Sequence, residues 1–310
     1  MKILIADEMH PSINEMIEME GWEYNYVPDA SREDILAMIK DYDGLMIRSK
    51  TFVDKDLLDC AHRLKFIARA GAGLDLIDLE EVSRRKIILF HAGEANRDAV
   101  AEHVLGMILA LFNNLIRADA EVRKGIWLRE ENRGVELMSQ TVGLIGYGNN
   151  GGATAKRLNS FGCRVLAYDK FRSDYGDAFA QEASLDRIMQ EATLVSMHVP
   201  LTADTRGMIN DEFVEHMAHP FYLVNAARGE VAQLGAVVRG LQSGKILGAC
   251  LDVLENEKLG KLTKEQQNNF DFLIQSDKVI LSPHVAGWSR ESYVRINEVL
   301  KRQIKEAFQP

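Results

Sequence analysis

Three side chains sit just beyond apolar runs that read as strands, and their types suit one reaction. His284 follows Val279-Ile280-Leu281-Ser282-Pro283, and histidine is the side chain that exchanges a proton near neutral pH. Arg228 ends Leu223-Val224-Asn225-Ala226-Ala227-Arg228, where a guanidinium can grip a carboxylate through two hydrogen bonds and polarise a neighbouring carbonyl. Glu257 lies five residues after Asp252, in Leu251-Asp252-Val253-Leu254-Glu255-Asn256-Glu257. A carboxylate beside His284 would favour the imidazolium and fix the ring, and on residue type alone Glu255 and Glu257 both qualify. A cation, an imidazole and a carboxylate together are what removal of a hydride from a secondary alcohol requires, because the hydroxyl proton must leave with it.

The acceptor of such a hydride is encoded separately. Thr141-Val142-Gly143-Leu144-Ile145-Gly146-Tyr147-Gly148-Asn149-Asn150-Gly151 runs a strand directly into G-x-G-x-x-G. In that pattern Gly146 permits a tight turn, Gly148 lets a pyrophosphate approach the backbone, and Gly151 lets the following helix pack on the strand. A second strand from Gly162 ends at Asp169, 18 residues after Gly151, where a carboxylate can accept from ribose hydroxyls and repel a 2′-phosphate. NAD is therefore expected over NADP, although Lys170 and Arg172 are cations that can hold a phosphate. Asn150 departs from the aliphatic residue usual before the third glycine, and its amide can still face the cofactor.

The elements that must carry these residues alternate from the start of the chain. Candidate strands are Lys2 to Ala6, Trp22 to Val27, Gly44 to Ile47, Leu64 to Ala68 and Ile87 to Phe90, then Val142 to Ile145, Arg164 to Tyr168, Leu194 to His198, Tyr222 to Asn225, Gly248 to Val253 and Val279 to Leu281. Helical periodicity fills the intervals, as in Ser31 to Tyr42, where Ser31 caps and Ile35, Met38 and Ile39 form a stripe. This is the pattern of two doubly wound α/β domains, the second with six strands. Between them, Asn96 to Lys124 reads as one long helical region carrying Val100, Val104, Met107, Ile108, Leu111 and Leu115, a stripe that serves either the core or a subunit contact. The polar stretch Asn256 to Asp277 reads as a surface loop with a short helix.

Bulk properties narrow the function further. The 310 residues are 46% hydrophobic and 27% charged, enough for two cores. A net charge of −9 without a basic run argues against nucleic acid as a partner. Cys60, Cys163 and Cys250 are isolated, so neither a disulfide framework nor a metal site is expected. The longest apolar stretch, Val104 to Phe112, is far shorter than the roughly 20 residues a bilayer requires, and the N-terminal run is too short for a signal peptide. A cytoplasmic protein with no membrane partner is expected.

Taken in order, Arg69-Ala70-Gly71-Ala72-Gly73-Leu74-Asp75, Asn96 to His103, Gly146 to Gly151, His198-Val199-Pro200-Leu201-Thr202, Asn225 to Gly229, Leu251 to Glu257 and Ser282-Pro283-His284-Val285-Ala286-Gly287 resemble the D-isomer-specific 2-hydroxyacid dehydrogenases over nearly the whole chain. The resemblance implies a catalytic triad of Arg228, Glu257 and His284, which selects Glu257 over Glu255. It implies cofactor contacts at Asn149, Asn150, Val199, Pro200, Ala226 and Asp252 besides the glycines and Asp169, and a substrate carboxylate held near Ala72 and Gly73. It further implies a discontinuous, flavodoxin-like substrate domain, 1–95 with 288–310, a Rossmann NAD-binding domain, 96–287, a cleft between them and a homodimer.

Within the family, Arg48-Ser49-Lys50-Thr51 and Arg69 are similar to D-3-phosphoglycerate dehydrogenases, whose phosphorylated substrate suits those cations. Conversion of 3-phosphoglycerate to 3-phosphohydroxypyruvate in serine biosynthesis is thus the first expectation, with a hydroxypyruvate or glyoxylate reductase as the alternative. An NAD-binding co-regulator on the same fold is the alternative of another class. The chain ends soon after His284, so a C-terminal regulatory domain is not expected. Lys258 stands where the family commonly has proline.

Overall fold

All strand pairs among the described residues, 1–308 of a computed structural model, are parallel. Parallel strands covered on both faces must be apolar on both, which is why they read as continuous hydrophobic runs. The chain divides into two compact units: Met1–Asn96 with the chain from Trp288 on, and Arg97–Gly287.

The first unit holds β1 (Lys2–Ile5), β2 (Glu23–Tyr26), β3 (Gly44–Ile47), β4 (Phe66–Arg69) and β5 (Ile88–His91), in the sheet order β2-β1-β3-β4-β5. That is the flavodoxin-like order. Successive residues alternate between two cores: Ile3, Ile5, Met46, Phe66 and Ala68 on one face, Leu4, Leu45, Ile47 and Ile67 on the other. The helix Arg290–Phe308 returns to this unit, setting Ile296, Val299, Leu300 and Ile304 into the first of those cores. Helix Arg32–Met38 starts at Ser31 with a reciprocal capping box to Asp34.

The second unit holds β6 (Thr141–Ile145), β7 (Arg164–Tyr168), β8 (Gln181–Glu182), β9 (Leu194–Met197), β10 (Phe221–Asn225), β11 (Ile246–Leu251) and β12 (Val279–Leu281), ordered β12-β11-β10-β9-β6-β7-β8. Counted from β6 this is the dinucleotide-binding order 3-2-1-4-5-6 with one more strand at the far edge. The far-edge strand is β12, and the sheet has seven strands where six were expected; the one absent from the sequence reading, β8, is two exposed polar residues that no apolar pattern announces.

Two helical expectations are corrected. The region from Asn96 to Lys124 is two helices, Arg97–Phe112 and Leu115–Val122, broken where Asn114 takes a left-handed φ of 51°. Val100, Val104, Met107, Ile108 and Leu111 belong to the core of this unit, whereas Leu115 is exposed. The stretch expected as a loop with a short helix contains a 12-residue helix, Lys264–Gln275, opened by a capping box between Thr263 and Gln266.

Candidate active site

The sheet registers of the second unit set the site out along one edge. Asn225, Leu251 and Leu281 are in register on the adjacent strands β10, β11 and β12, at their carboxyl ends. Arg228, Glu257 and His284 follow those residues, so all three emerge on the same edge. Gly146 emerges there too, after β6, where the strand order reverses and open α/β sheets bind ligands.

His284 and Glu257 meet. The Nδ1 of His284 lies 2.9 Å from Oε1 of Glu257 and 3.1 Å from Oε2, and both side chains are about half exposed, at 47% and 48%. With Nδ1 tied to the carboxylate, Nε2 is the nitrogen left to exchange a proton. Glu255 does something else: its Oε2 accepts from the backbone amide of Leu234, at the first turn of helix Leu234–Ser243. The choice between the two glutamates thus rests on geometry as well as on resemblance.

The turn carrying Arg228 is fixed by buried Asn225, whose Oδ1 accepts from the amide of Ala227 and whose Nδ2 donates to the carbonyl of Arg228, at 3.1 and 2.9 Å. A Cβ on Gly229 would come within 1.8 Å of the Leu254 carbonyl oxygen, so this turn presses on the loop that leads to Glu257. Only glycine permits that approach.

The glycine loop divides its labour. A Cβ on Gly146 would lie 2.5 Å from the carbonyl of His198, and one on Gly151 would lie 2.1 Å from the carbonyl of Gly146. At Gly148 a Cβ would meet nothing within 4 Å. Gly146 and Gly151 are thus closed by protein, while Gly148 leaves bare backbone at the start of the 12-residue helix Asn149–Ser160, where a pyrophosphate would meet free amides. Asn149 and Asn150 open that helix, and Oδ1 of Asn150 is buried without a hydrogen-bond partner.

Beside the loop lies a cavity of about 360 Å³ lined by Gly146, Gly148, Asp169, Val199 and Pro200 among others. The carboxylate of Asp169 is held by the amides of Tyr147 and Phe171, at 2.9 and 3.0 Å. His198 also lines this cavity; burial pushes its imidazole down to about 4, so the ring is neutral there. The residues present fit a dinucleotide.

A model of the D-isomer specific 2-hydroxyacid dehydrogenase NAD binding domain matches residues 105–286. The chain belongs to that family. It is 37% identical over 281 residues to a glyoxylate reductase of Thermofilum pendens, covering 88% of this chain and 80% of that one. It is 31% identical over 306 residues to a D-3-phosphoglycerate dehydrogenase of Archaeoglobus fulgidus, covering 98% of this chain; this chain spans 56% of that protein's length. Among solved structures, the D-lactate dehydrogenase of Aquifex aeolicus, complexed with NAD and lactic acid, superposes with a TM-score of 0.84 at 29% identity, over 99% of this chain and 95% of that one. The cofactor of this dehydrogenase fold is NAD, and the unit Arg97–Gly287 is its binding domain.

Sequence reasoning named Asp252 as a cofactor contact and passed over its part in holding His284 in place. Asp252 is 1% exposed, and its carboxylate accepts from the amides of Val285 and Ala286, both at 2.9 Å, and from the hydroxyl of Ser282 at 2.5 Å. Its carbonyl accepts from the amide of His284 at 2.7 Å. His103 adds a contact to the Ser282 hydroxyl at 2.9 Å. Asp252, expected as a cofactor contact, is thus also the post around which the loop 282–286 is wound. His284 itself sits at φ 55°, a conformation a histidine keeps only when its surroundings impose it. The signal available in the sequence was Asp252 itself, an acid at the end of an apolar run.

In the first unit Arg48 follows β3 and Arg69 ends β4, the neighbouring strand, with Ile47 and Arg69 in register. Buried Asp7 winds the loop that bears Arg48, accepting from the amides of Arg48 and Lys50, at 2.6 and 2.9 Å, and from the hydroxyl of Thr51 at 2.5 Å. The Arg48 guanidinium lies 3.9 Å from the ring centre of Trp288 and 5.2 Å from that of Tyr293. Ala72 and Gly73 follow Gly71, which sits at φ 141° and whose missing Cβ leaves room for the guanidinium of Arg69.

Proposed function

We propose that this dehydrogenase interconverts a small D-2-hydroxy acid and its 2-keto acid, and that the acid carries a second anionic group, as 3-phosphoglycerate does. The observation that carries the acid–base part is the pairing of Glu257 with His284 on the sheet edge that also bears Arg228 and the glycine loop. Arg228 takes the substrate carboxylate and polarises the carbonyl; His284 Nε2 gives a proton to the carbonyl oxygen in reduction and takes it back in oxidation. Glu257 holds the ring in the tautomer and orientation that make this possible and balances the charge that arrives with the proton. NAD, when bound, supplies the hydride acceptor or donor.

The second anionic group is argued from Arg48. A guanidinium held 3.9 Å over the ring of Trp288 gives up little rotamer freedom on binding, which suits a phosphate. Arg69 on the adjacent strand and the backbone near Ala72 and Gly73 make up the rest of the proposed substrate surface of this unit. The relatives named phosphoglycerate dehydrogenase favour the same reading. A second reading, a glyoxylate or hydroxypyruvate reductase, is favoured by the higher identity to the Thermofilum protein.

Measuring NADH oxidation with phosphohydroxypyruvate, hydroxypyruvate, glyoxylate and pyruvate separates them. The first reading expects kcat/KM for the phosphorylated acid to exceed the others by at least about tenfold, the worth of one charge-assisted contact; equal or better use of glyoxylate moves the assignment to the reductase. We further propose a homodimer through the apolar surface of helix Leu115–Val122 and the chain that follows it.

A further inference from the structure

We propose that Asp204 is a second determinant of cofactor choice, acting by neutralising Lys170, the one cation among the described residues that line the nucleotide cavity, which would otherwise receive a 2′-phosphate. Asp169 is the first determinant, because its carboxylate repels that phosphate and accepts from a ribose hydroxyl instead. Yet the sequence places Lys170 next to it and Arg172 two residues further on, and cations so placed would undo the discrimination. The structure shows both of them engaged. Arg172 donates to the carbonyl oxygen of Tyr147. Lys170 pairs with Asp204, Nζ to Oδ2 at 2.8 Å, between residues 34 apart in sequence.

Asp204 is well placed for this. It lies on the turn after β9, which is braced by the Thr205 hydroxyl donating to the Pro200 carbonyl at 2.6 Å and by the Thr202 amide donating to the Thr205 hydroxyl at 2.8 Å. Both Lys170 and Asp204 line the cavity, together with Asp169. These three give the lining a charge of −1, against a 2′-phosphate that carries close to two negative charges. Removing the Asp204 charge brings the lining to zero and frees an ammonium at the place where NADP differs from NAD. Both partners are more than half exposed, at 53% and 60%, so the pair contributes little to folding and its loss leaves the unit intact.

The test is the ratio of the NADPH and NADH dissociation constants of the full chain, titrated by nicotinamide fluorescence at one fixed ionic strength. In Asp204→Asn the ratio is expected to move toward NADPH by about tenfold, or about 1.4 kcal/mol. Asp204→Ala should do the same, and in Asp204→Asn/Lys170→Ala the shift should disappear. An unchanged ratio overturns the proposal, as does a shift that survives loss of Lys170. Equal weakening of both cofactors also overturns it, and would make the pair a strap across the adenosine. No substrate enters this measurement, so its outcome is independent of which acid the enzyme uses.

Discussion

The role proposed for His284, trading a proton with a bound substrate, needs one ring nitrogen tied down and the other presented, and its backbone meets that demand at a cost. Its φ of 55° is held by Asp252, whose carbonyl accepts from the amide of His284 and whose carboxylate accepts from those of Val285 and Ala286. Such strain persists only where the surroundings over-determine it. Truncating the imidazole removes the proton exchange and leaves that frame alone. His284→Ala is therefore expected to lower kcat/KM for the keto acid by about a hundredfold or more, the usual scale for a general acid. Arg228→Ala should cost a similar factor, as an electrostatic group does, without weakening NADH binding. Steady-state rates alongside NADH titration check both; a folded variant with near-normal turnover would remove the residue from the triad.

At the scale of elements, the glycine loop offers a cleaner separation of folding from binding. Gly151→Ala forces a methyl to 2.1 Å from the Gly146 carbonyl, so the helix must move off its strand, and a loss of thermal stability is expected. Gly148→Ala meets no protein atom within 4 Å, so Tm should hold while NADH affinity falls by about tenfold or more, because the methyl stands where the pyrophosphate approaches. If Gly148→Ala binds NADH normally, the cofactor does not cross that backbone. The same loop was readable in the sequence because each glycine answers to a local rule, and the major strands were readable because burial on both faces makes them apolar throughout. Where polar residues carry the structure, reading was harder. The edge strand Gln181–Glu182 has no apolar signal. The capping box at Thr263 opens a helix whose composition reads as loop. The left-handed Asn114 is hidden inside a hydrophobic stripe. Hardest of all were the long-range hydrogen bonds of Asp7 and Asp252, whose partners lie 41 and 33 residues away and are set by sheet register rather than by local pattern.

For the whole molecule the question is what covers the apolar surface that folding leaves behind. Helix Arg97–Phe112 buries Val100, Val104, Ile108 and Phe112 in its own unit, but helix Leu115–Val122 buries none of its residues. Leu115, Ile116 and Val122 are exposed on it, and Ile126, Trp127 and Leu128 follow at once, Trp127 with 80% of its surface open. Large apolar side chains gathered in one short segment are the mark of an association surface, and tryptophan is the residue most often dominant in one. At a net charge of −9, like molecules repel over distance, so self-association has to be won by apolar contact. Light scattering is expected to give twice the chain mass of 34.9 kDa at micromolar concentration. Replacing Trp127 with Glu sets a charge into the centre of that contact and should return the protein to 34.9 kDa with NADH binding retained. Raising the salt should strengthen the wild-type dimer rather than weaken it, since screening relieves the repulsion and leaves the apolar term. A wild-type chain that scatters as a monomer, or a Trp127→Glu variant that still scatters as a dimer, would assign this surface to something other than a second copy.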